Sequence, residues 1–189
     1  MPKAKITREM VVDAAFEVAR TMGIENVNAR TVSEKLGCST QPVMYHFARI
    51  EEMKRAVYEK ADQFHSEYLM NITKPEEGIM LGIGLNYIGF AVREPNLFRF
   101  LFQSGYAVGN SLVEMIDSDD LKPLLEMMSG AMEMPPEQTK EVFVTIAMFA
   151  HGYASIIANN SLEYDEKTAA AHLERAYRGA VLAVREETK

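Results

Sequence analysis

Apolar residues recur at three- and four-residue steps along most of the chain, the spacing that places them on one face of an α-helix. In the first seventy residues this pattern predicts four helices, at 7–22, 29–36, 39–47 and 50–70. Thr7 and Asn28 are suited to cap the first two helices, and Gly23 and Gly37 to end them. The chain therefore begins with three short helices followed by a longer one.

Prolines mark several later helix starts, because the first turn of a helix tolerates a residue without an N–H group. We expect Pro75 to open a helix that reaches Arg93, and Pro95 to open another that ends at Gly105. The remaining apolar stretches predict helices at 110–134, as one helix or two broken around 117–120, at 136–159, starting at Pro135 or Pro136, and at 165–186, capped by Asp165. No stretch alternates as a strand would, so the sequence predicts an all-α protein of about nine helices.

The segment LGCSTQPVMYHF, residues 36–47, joins a glycine turn to a short polar helix. Together with the helix before it, this segment has the layout of a helix–turn–helix, whose second helix enters the DNA major groove. Ser39 is the expected N-cap, which places Pro42 in the first turn. Val43 and Phe47 lie one turn apart and are predicted to face the core. A plain αα-corner would show the same spacing, but the polar tip favours DNA.

Specific chemistry can be assigned to the exposed tip of this helix. Gln41 can pair bidentately with adenine, the Pro42 ring can contact a thymine methyl group, and Ser39 and Thr40 can bond to bases or phosphates. Phosphate contacts are expected from Arg30, Thr31, Tyr45, His46, Arg49 and Lys54.

Charge and composition constrain the partners. The net charge is −7, but residues 1–60 hold 10 Lys/Arg against 8 Asp/Glu, and the rest hold 10 against 19. Phosphate binding therefore depends on a few well-placed groups. The longest apolar stretch is interrupted by Asn86 and is shorter than the roughly 20 residues of a membrane span. With a single cysteine, Cys38, and no signal peptide in the N-terminal residues, we expect a cytoplasmic protein without a membrane partner.

Three N-terminal segments carry a family resemblance: AAFEVARTMGIENV, RTVSEKLGCS, and YHF followed by EEM. They lie in register over about the first 57 residues and resemble the DNA-binding domain of the TetR (tetracycline-repressor) family of bacterial regulators. The resemblance implies a helix–turn–helix domain in residues 1–50 and a helical ligand-binding and dimerisation domain in residues 51–189. It also implies a homodimer that represses transcription until a small molecule releases it from a palindromic operator.

Two positions depart from the family pattern. Met44 stands where the family usually has tyrosine, and Ile50 where it tends to have lysine, so two usual phosphate contacts are missing. The resemblance places the dimer contact on the last two helices, whose small residues include Ala150, Gly152 and Gly179; intrachain packing is the alternative.

An effector cavity is expected among the fourth to seventh helices. Its candidate lining residues are Asn86, Tyr87, Phe90, Phe98, Phe102, Gln103, Tyr106 and His151. Each aromatic side chain taken alone is more often part of a core.

A second hypothesis is an all-α small-molecule-binding protein or enzyme whose N-terminal corner is only structural. The four histidines show no close ligand spacing and no cysteine pair exists, so we expect neither a metal site nor a cofactor. No Ser-His-Asp set can be assembled by spacing, and the sequence favours a regulator over an enzyme.

Overall fold

A computed structural model describes residues 6–73, 78–106, 119–160 and 162–187. In this part of the chain all the regular structure is helical, as predicted, and nine α-helices are present. They are α1 (Arg8–Met22), α2 (Ala29–Leu36), α3 (Thr40–His46), α4 (Ile50–Met70), α5 (Ile79–Arg93), α6 (Pro95–Phe102), α7 (Lys122–Met132), α8 (Pro136–Asn160) and α9 (Glu166–Glu187). Single turns of 3₁₀-helix occur at Ile24–Asn26 and Asp119–Leu121.

Most predicted helix ends are confirmed, because their caps are local. The Thr7 hydroxyl accepts a hydrogen bond from the Met10 N–H, and the Asp165 carboxylate accepts one from the Thr168 N–H. Asn28 caps α2 by accepting from the N–H groups of Arg30 and Thr31. These bonds pair N–H groups that have no partner inside the helix.

Two predictions about helix ends were wrong. The fifth helix begins at Ile79 rather than Pro75, because Gly78 has a φ of 108°, outside the helical region; Pro75 itself lies outside the described residues. The sixth ends at Phe102 rather than Gly105. The Ser104 hydroxyl there bonds to the Phe100 carbonyl and competes with the helical pattern. Ser39 occupies the N-cap position of α3, as predicted, and its side chain makes no capping bond.

The helix or pair of helices predicted at 110–134 can be followed only from residue 119. Residues 107–118 lie outside the described residues. The described remainder consists of the 3₁₀ turn at Asp119–Leu121 and α7.

The chain divides into two compact units. Among the described residues, the first unit comprises 6–68 and 94–106, and the second comprises 69–73, 78–93, 119–160 and 162–187. The functional boundary at residue 50 remains a prediction. The boundary between the two compact units does not lie at residue 50, because α6 and most of α4 group with α1–α3.

The first unit has an aromatic core and a partly buried ion pair. Phe98 and Phe100 of α6 are buried, and α6 packs against α1. The Arg20 guanidinium at the end of α1 donates to both carboxylate oxygens of the buried Glu94, from Nε at 2.8 Å and from Nη2 at 2.5 Å. Asn96 adds a bond to the Arg20 carbonyl. The start of α6 is thereby fastened to α1.

The second unit is built around α8, which packs against both α5 and α9. Gly84 of α5 permits a close approach to α9, since a Cβ there would lie 3.2 Å from Leu173. A cluster of buried methionines, Met128, Met132 and Met134, fills the space where α7 meets α8. Methionine side chains are flexible and fill irregular gaps in this way.

Candidate nucleic-acid interface

The turn between α2 and α3 is a glycine-dependent reversal. Gly37 adopts a φ of 63°, in the left-handed region, and its N–H donates to the Glu34 carbonyl. The next N–H, that of Cys38, donates to the Ser33 carbonyl at 3.0 Å. The turn thus closes α2 and directs the chain into α3, as the helix–turn–helix prediction requires.

Helix α3 has an inward face and an outward face. Val43 and the residue that ends the helix, Phe47, are buried, as predicted. The outward face carries the exposed residues Thr40, Gln41, Met44 and Tyr45. Met44 is 42% exposed and Tyr45 80%, which is unusual for side chains of this size.

Two contacts fasten α3 to the start of α1. The His46 Nε2–H donates to the Ile6 carbonyl at 2.9 Å, and the Arg8 guanidinium lies 4.8 Å from the centre of the Phe47 ring. These contacts orient the outward face of α3. The first contact also occupies one ring nitrogen of His46, a residue that was predicted to contact phosphate.

The other predicted phosphate contacts have unequal access to solvent. Arg30 and Arg49 are exposed, and Arg30 makes only a surface ion pair with Glu34 at 3.0 Å. The Lys54 side chain is 18% exposed and lies 3.9 Å from Glu51. The Thr31 hydroxyl donates to the Asn26 carbonyl at 2.6 Å and accepts from the Asn28 N–H. Thr31 therefore has a capping role, and the two arginines are more accessible to solvent than Lys54 or Thr31.

A surface cleft of about 340 Å³ lies beside the junction between α3 and α4. Arg8, Arg49 and Arg55 line it, together with Glu51, Glu52, Ala56, Glu59 and Tyr106. Neither Arg8 nor Arg55 was among the predicted site residues. Arg8, at the start of α1, is distant from Arg49 in sequence and is brought beside it by packing, whereas Arg55 lies on α4, six residues after Arg49. Tyr106, predicted to line an effector cavity, instead donates to the Glu51 carboxylate at 2.5 Å. Burial and this bond raise the pKa of Tyr106 to about 12.

The residues predicted to line an effector cavity fall into both units. In the first unit, Phe98 is fully buried against Phe102, with ring centres 5.2 Å apart, and Gln103 is exposed. Phe98 and Phe102 thus take part in core packing, the alternative considered for them. The other four residues, Asn86, Tyr87, Phe90 and His151, belong to the second unit.

In the second unit a polar pair joins α5 to α8. The Tyr87 hydroxyl lies 2.9 Å from Nδ1 of His151, and Phe90, on the same helix as Tyr87, is fully buried. Burial raises the pKa of Tyr87 and lowers the pKa of His151, so both groups are uncharged near pH 7. Asn86 donates to the carbonyls of Leu69 and Asn71 and so fastens α5 to the end of α4. Among the described residues, no group of three or more His, Cys, Asp or Glu side chains is placed to hold a metal ion.

Comparison with known proteins decides the fold. No protein-family model matches the chain, and no curated protein matches its sequence. Among solved structures, a TetR-family member from Streptomyces coelicolor A3 matches with a TM-score of 0.59 and 17% identity, covering 89% of this chain and 96% of the other. The chain has the fold of TetR-family regulators. The multidrug binding protein EbrR, solved with imidazole, has the same TetR-like fold and matches with a TM-score of 0.54 and 17% identity, covering 89% and 93%.

Proposed function

We propose that this protein with the TetR fold is a sequence-specific DNA-binding transcriptional regulator, and specifically a repressor that a small molecule releases from its operator. The observation that carries the proposal is the two-faced α3. Val43 and Phe47 anchor the helix in the first unit, while Thr40 and Gln41 remain exposed on the opposite side. The second helix of a helix–turn–helix presents such an exposed polar face to the major groove.

The base-reading and phosphate-binding roles follow from exposure. Ser39, Thr40 and Gln41 read base edges, and Gln41 pairs with adenine. Arg30 and Arg49 hold phosphates, and the exposed Tyr45 hydroxyl is a third candidate. With few phosphates neutralised, affinity should decline only modestly as salt is raised.

A homodimer would give the protein two reading helices for a palindromic operator, with half-sites about 34–36 Å apart. Its proposed interface is the exposed side of α8 and α9. Met148, Gly152 and Ile156 follow one another at four-residue steps on α8, and Ile156 is 56% exposed. Leu182 on α9 is 61% exposed. An apolar row of this kind on two long helices is typical of a subunit interface.

The small residues of these helices divide between two uses. Ala150, Ala154 and Ala158 are buried within the chain, so they serve intrachain packing. A Cβ added at Gly152 or Gly179 would meet nothing within 4 Å among the atoms of this chain. These two glycines leave room for the helices of a partner subunit.

The length and composition of α8 would also suit a membrane span. Its most apolar stretch has a mean hydropathy of 1.5, and 28% of that stretch is buried within the chain. A subunit interface accounts for the same exposed apolar face, and we propose a cytoplasmic protein without a membrane partner.

We place effector recognition in the second unit, at Tyr87, Phe90 and His151. Uncharged polar groups beside an apolar side chain favour a mostly apolar small molecule.

DNA binding is tested by titrating the protein against the DNA upstream of its own gene in a gel-shift or fluorescence anisotropy assay. Gln41→Ala should weaken binding by about 1–3 kcal/mol for each bidentate glutamine–adenine pair that it removes. Arg49→Ala should weaken binding to all sequences and reduce its salt dependence. Glu163→Ala, at an exposed loop position, is the control that should bind as wild type. Unchanged binding by both site variants would remove the assignment of the site.

The dimer is tested by light scattering at several protein concentrations. Ile156→Glu should produce monomers, because it would place a charge in the proposed interface. Met70→Glu is a matched control, since Met70 is an exposed apolar residue at the end of α4, 61% exposed. A dimer that survives Ile156→Glu and Leu182→Glu together would show that the interface lies elsewhere.

A further inference from the structure

The outward face of α3 contains an apolar side chain, Met44, to which none of the phosphate and base contacts proposed above assigns a role. Met44 is 42% exposed on a helix of seven residues whose other exposed side chains are Thr40, Gln41 and Tyr45. A thioether neither donates a hydrogen bond nor carries charge, so it is not a phosphate ligand. Its position on the helix indicates a different role.

Helical geometry places Met44 in the middle of the reading face. Successive residues turn about 100° around a helix, so Met44 lies about 40° from Thr40 and about 60° from Gln41, between the two. Pro42, the residue expected to contact thymine, lies about 160° away from Met44 and is half-buried. The ring of Pro42 therefore faces away from the side on which Thr40 and Gln41 are displayed.

We propose that Met44 is a specificity-determining residue that contacts the C5-methyl group of a thymine in each half-site. This inference rests on the proposed DNA-binding function and refines it. In the major groove the thymine methyl is the apolar feature of a base-pair edge, and an apolar side chain distinguishes it from cytosine. Gln41 reading an adenine and Met44 reading a neighbouring thymine would together favour A·T-containing half-sites.

The anchoring of α3 gives the contact its precision. Val43, the residue next to Met44, is fully buried, and His46 is bonded to the Ile6 carbonyl. Because the backbone on both sides of Met44 is held, its side chain projects from a defined point. The thioether itself has three rotatable bonds and can adapt to the exact height of the methyl group.

The experiment removes the methyl group alone. The full-length protein first selects its operator from random-sequence duplex DNA, and each thymine of the selected half-site is then replaced by deoxyuridine, symmetrically in both half-sites. Deoxyuridine keeps the hydrogen-bonding edge and lacks only the C5-methyl group. Burying one methyl group is worth about four-fold in affinity, so one position should show a loss of about fifteen-fold when both half-sites are changed.

Variants connect that loss to Met44. In Met44→Ala the deoxyuridine penalty at this position should fall to nearly one-fold, while Met44→Leu should retain most of it. Gln41→Ala is the matched control, because it should keep the deoxyuridine penalty and lose discrimination at another base pair. Circular dichroism melting checks that each variant is folded, as expected for substitutions at exposed positions.

The two levels of the proposal fail differently. Suppose that an operator is selected. The assignment of Met44 is then overturned if no thymine shows a deoxyuridine penalty, or if Met44→Ala retains the full penalty, and Met44 is only an exposed surface residue. The proposed function would then still stand. If no DNA sequence is selected at all, the proposed function fails and the assignment of Met44 fails with it.

Discussion

His65 makes the stability of the first unit depend on pH in a way that can be calculated. The side chain lies on α4 with 7% of its surface exposed, and its ring centre is 5.0 Å from that of Phe102. Burial lowers the pKa of His65 from 6.5 to about 4. Because the pKa is lower in the folded protein than in the unfolded chain, the unfolded chain takes up the proton first as the pH falls.

The sign and size follow from this difference in pKa. The free energy of unfolding has its full contribution from His65 above about pH 6.5 and loses it as the pH falls towards about 4. A difference of 2.5 units between those two values corresponds to about 3 kcal/mol in total. Between pH 7 and pH 4.5 the loss attributable to His65 is about 2 kcal/mol.

Urea unfolding of wild type and His65→Gln at pH 7, 6, 5 and 4.5, at one protein concentration, measures this loss. Glutamine cannot titrate, so the stability difference between the two proteins should change by about 2 kcal/mol in favour of the variant over that range. His172→Gln, at an exposed position, is the control for the change of side chain itself. Parallel curves for wild type and His65→Gln would refute the reasoning, as would an NMR titration in which the His65 ring is protonated near pH 6.5.

Three further predictions concern contacts that hold α2, α3 and α6 in the first unit, each measured by thermal or urea unfolding. Asn28→Ala should cost about 1 kcal/mol, because it leaves two N–H groups at the start of α2 without their acceptor. Gly37→Ala should cost about 1 kcal/mol from its φ of 63° alone, since the added Cβ meets nothing within 4 Å; Gly105→Ala, equally open but without a positive φ, should be neutral or slightly stabilising. Glu94→Gln should cost about 1 kcal/mol by weakening its pair with the partly exposed Arg20, and an unchanged stability in any of these three variants would contradict the role given to that residue.

Some of the interface could be predicted because it depends on residues close together in the chain. The exposed polar tip and the buried Val43 and Phe47 follow from the seven-residue pattern of α3, and the turn follows from Gly37. The contact of Pro42 with a thymine methyl group was expected from its residue type and remains a prediction. Whether Pro42 or Met44 faces outward depends on which side of α3 rests on α1 and α2.

Local patterns were also insufficient to assign the residues expected to line an effector cavity. Phe98 and Phe102 lie four residues apart on α6, but a core and a ligand site have the same apolar spacing. The Tyr106 hydroxyl bonds to Glu51, which is 55 residues away in sequence, and no local pattern carries that information.

Local residue patterns predicted which segments are helical and where most of them begin and end, because helix periodicity, caps and left-handed glycines act over a few residues. Which sides of those helices stay exposed depends on how the helices pack against one another. It buries Ala150 while leaving Gly152 open, ties His46 to the Ile6 carbonyl, and presents Met44 between Thr40 and Gln41. These outcomes depend on packing between residues distant in the chain, and packing selects among helix faces that local patterns leave equivalent.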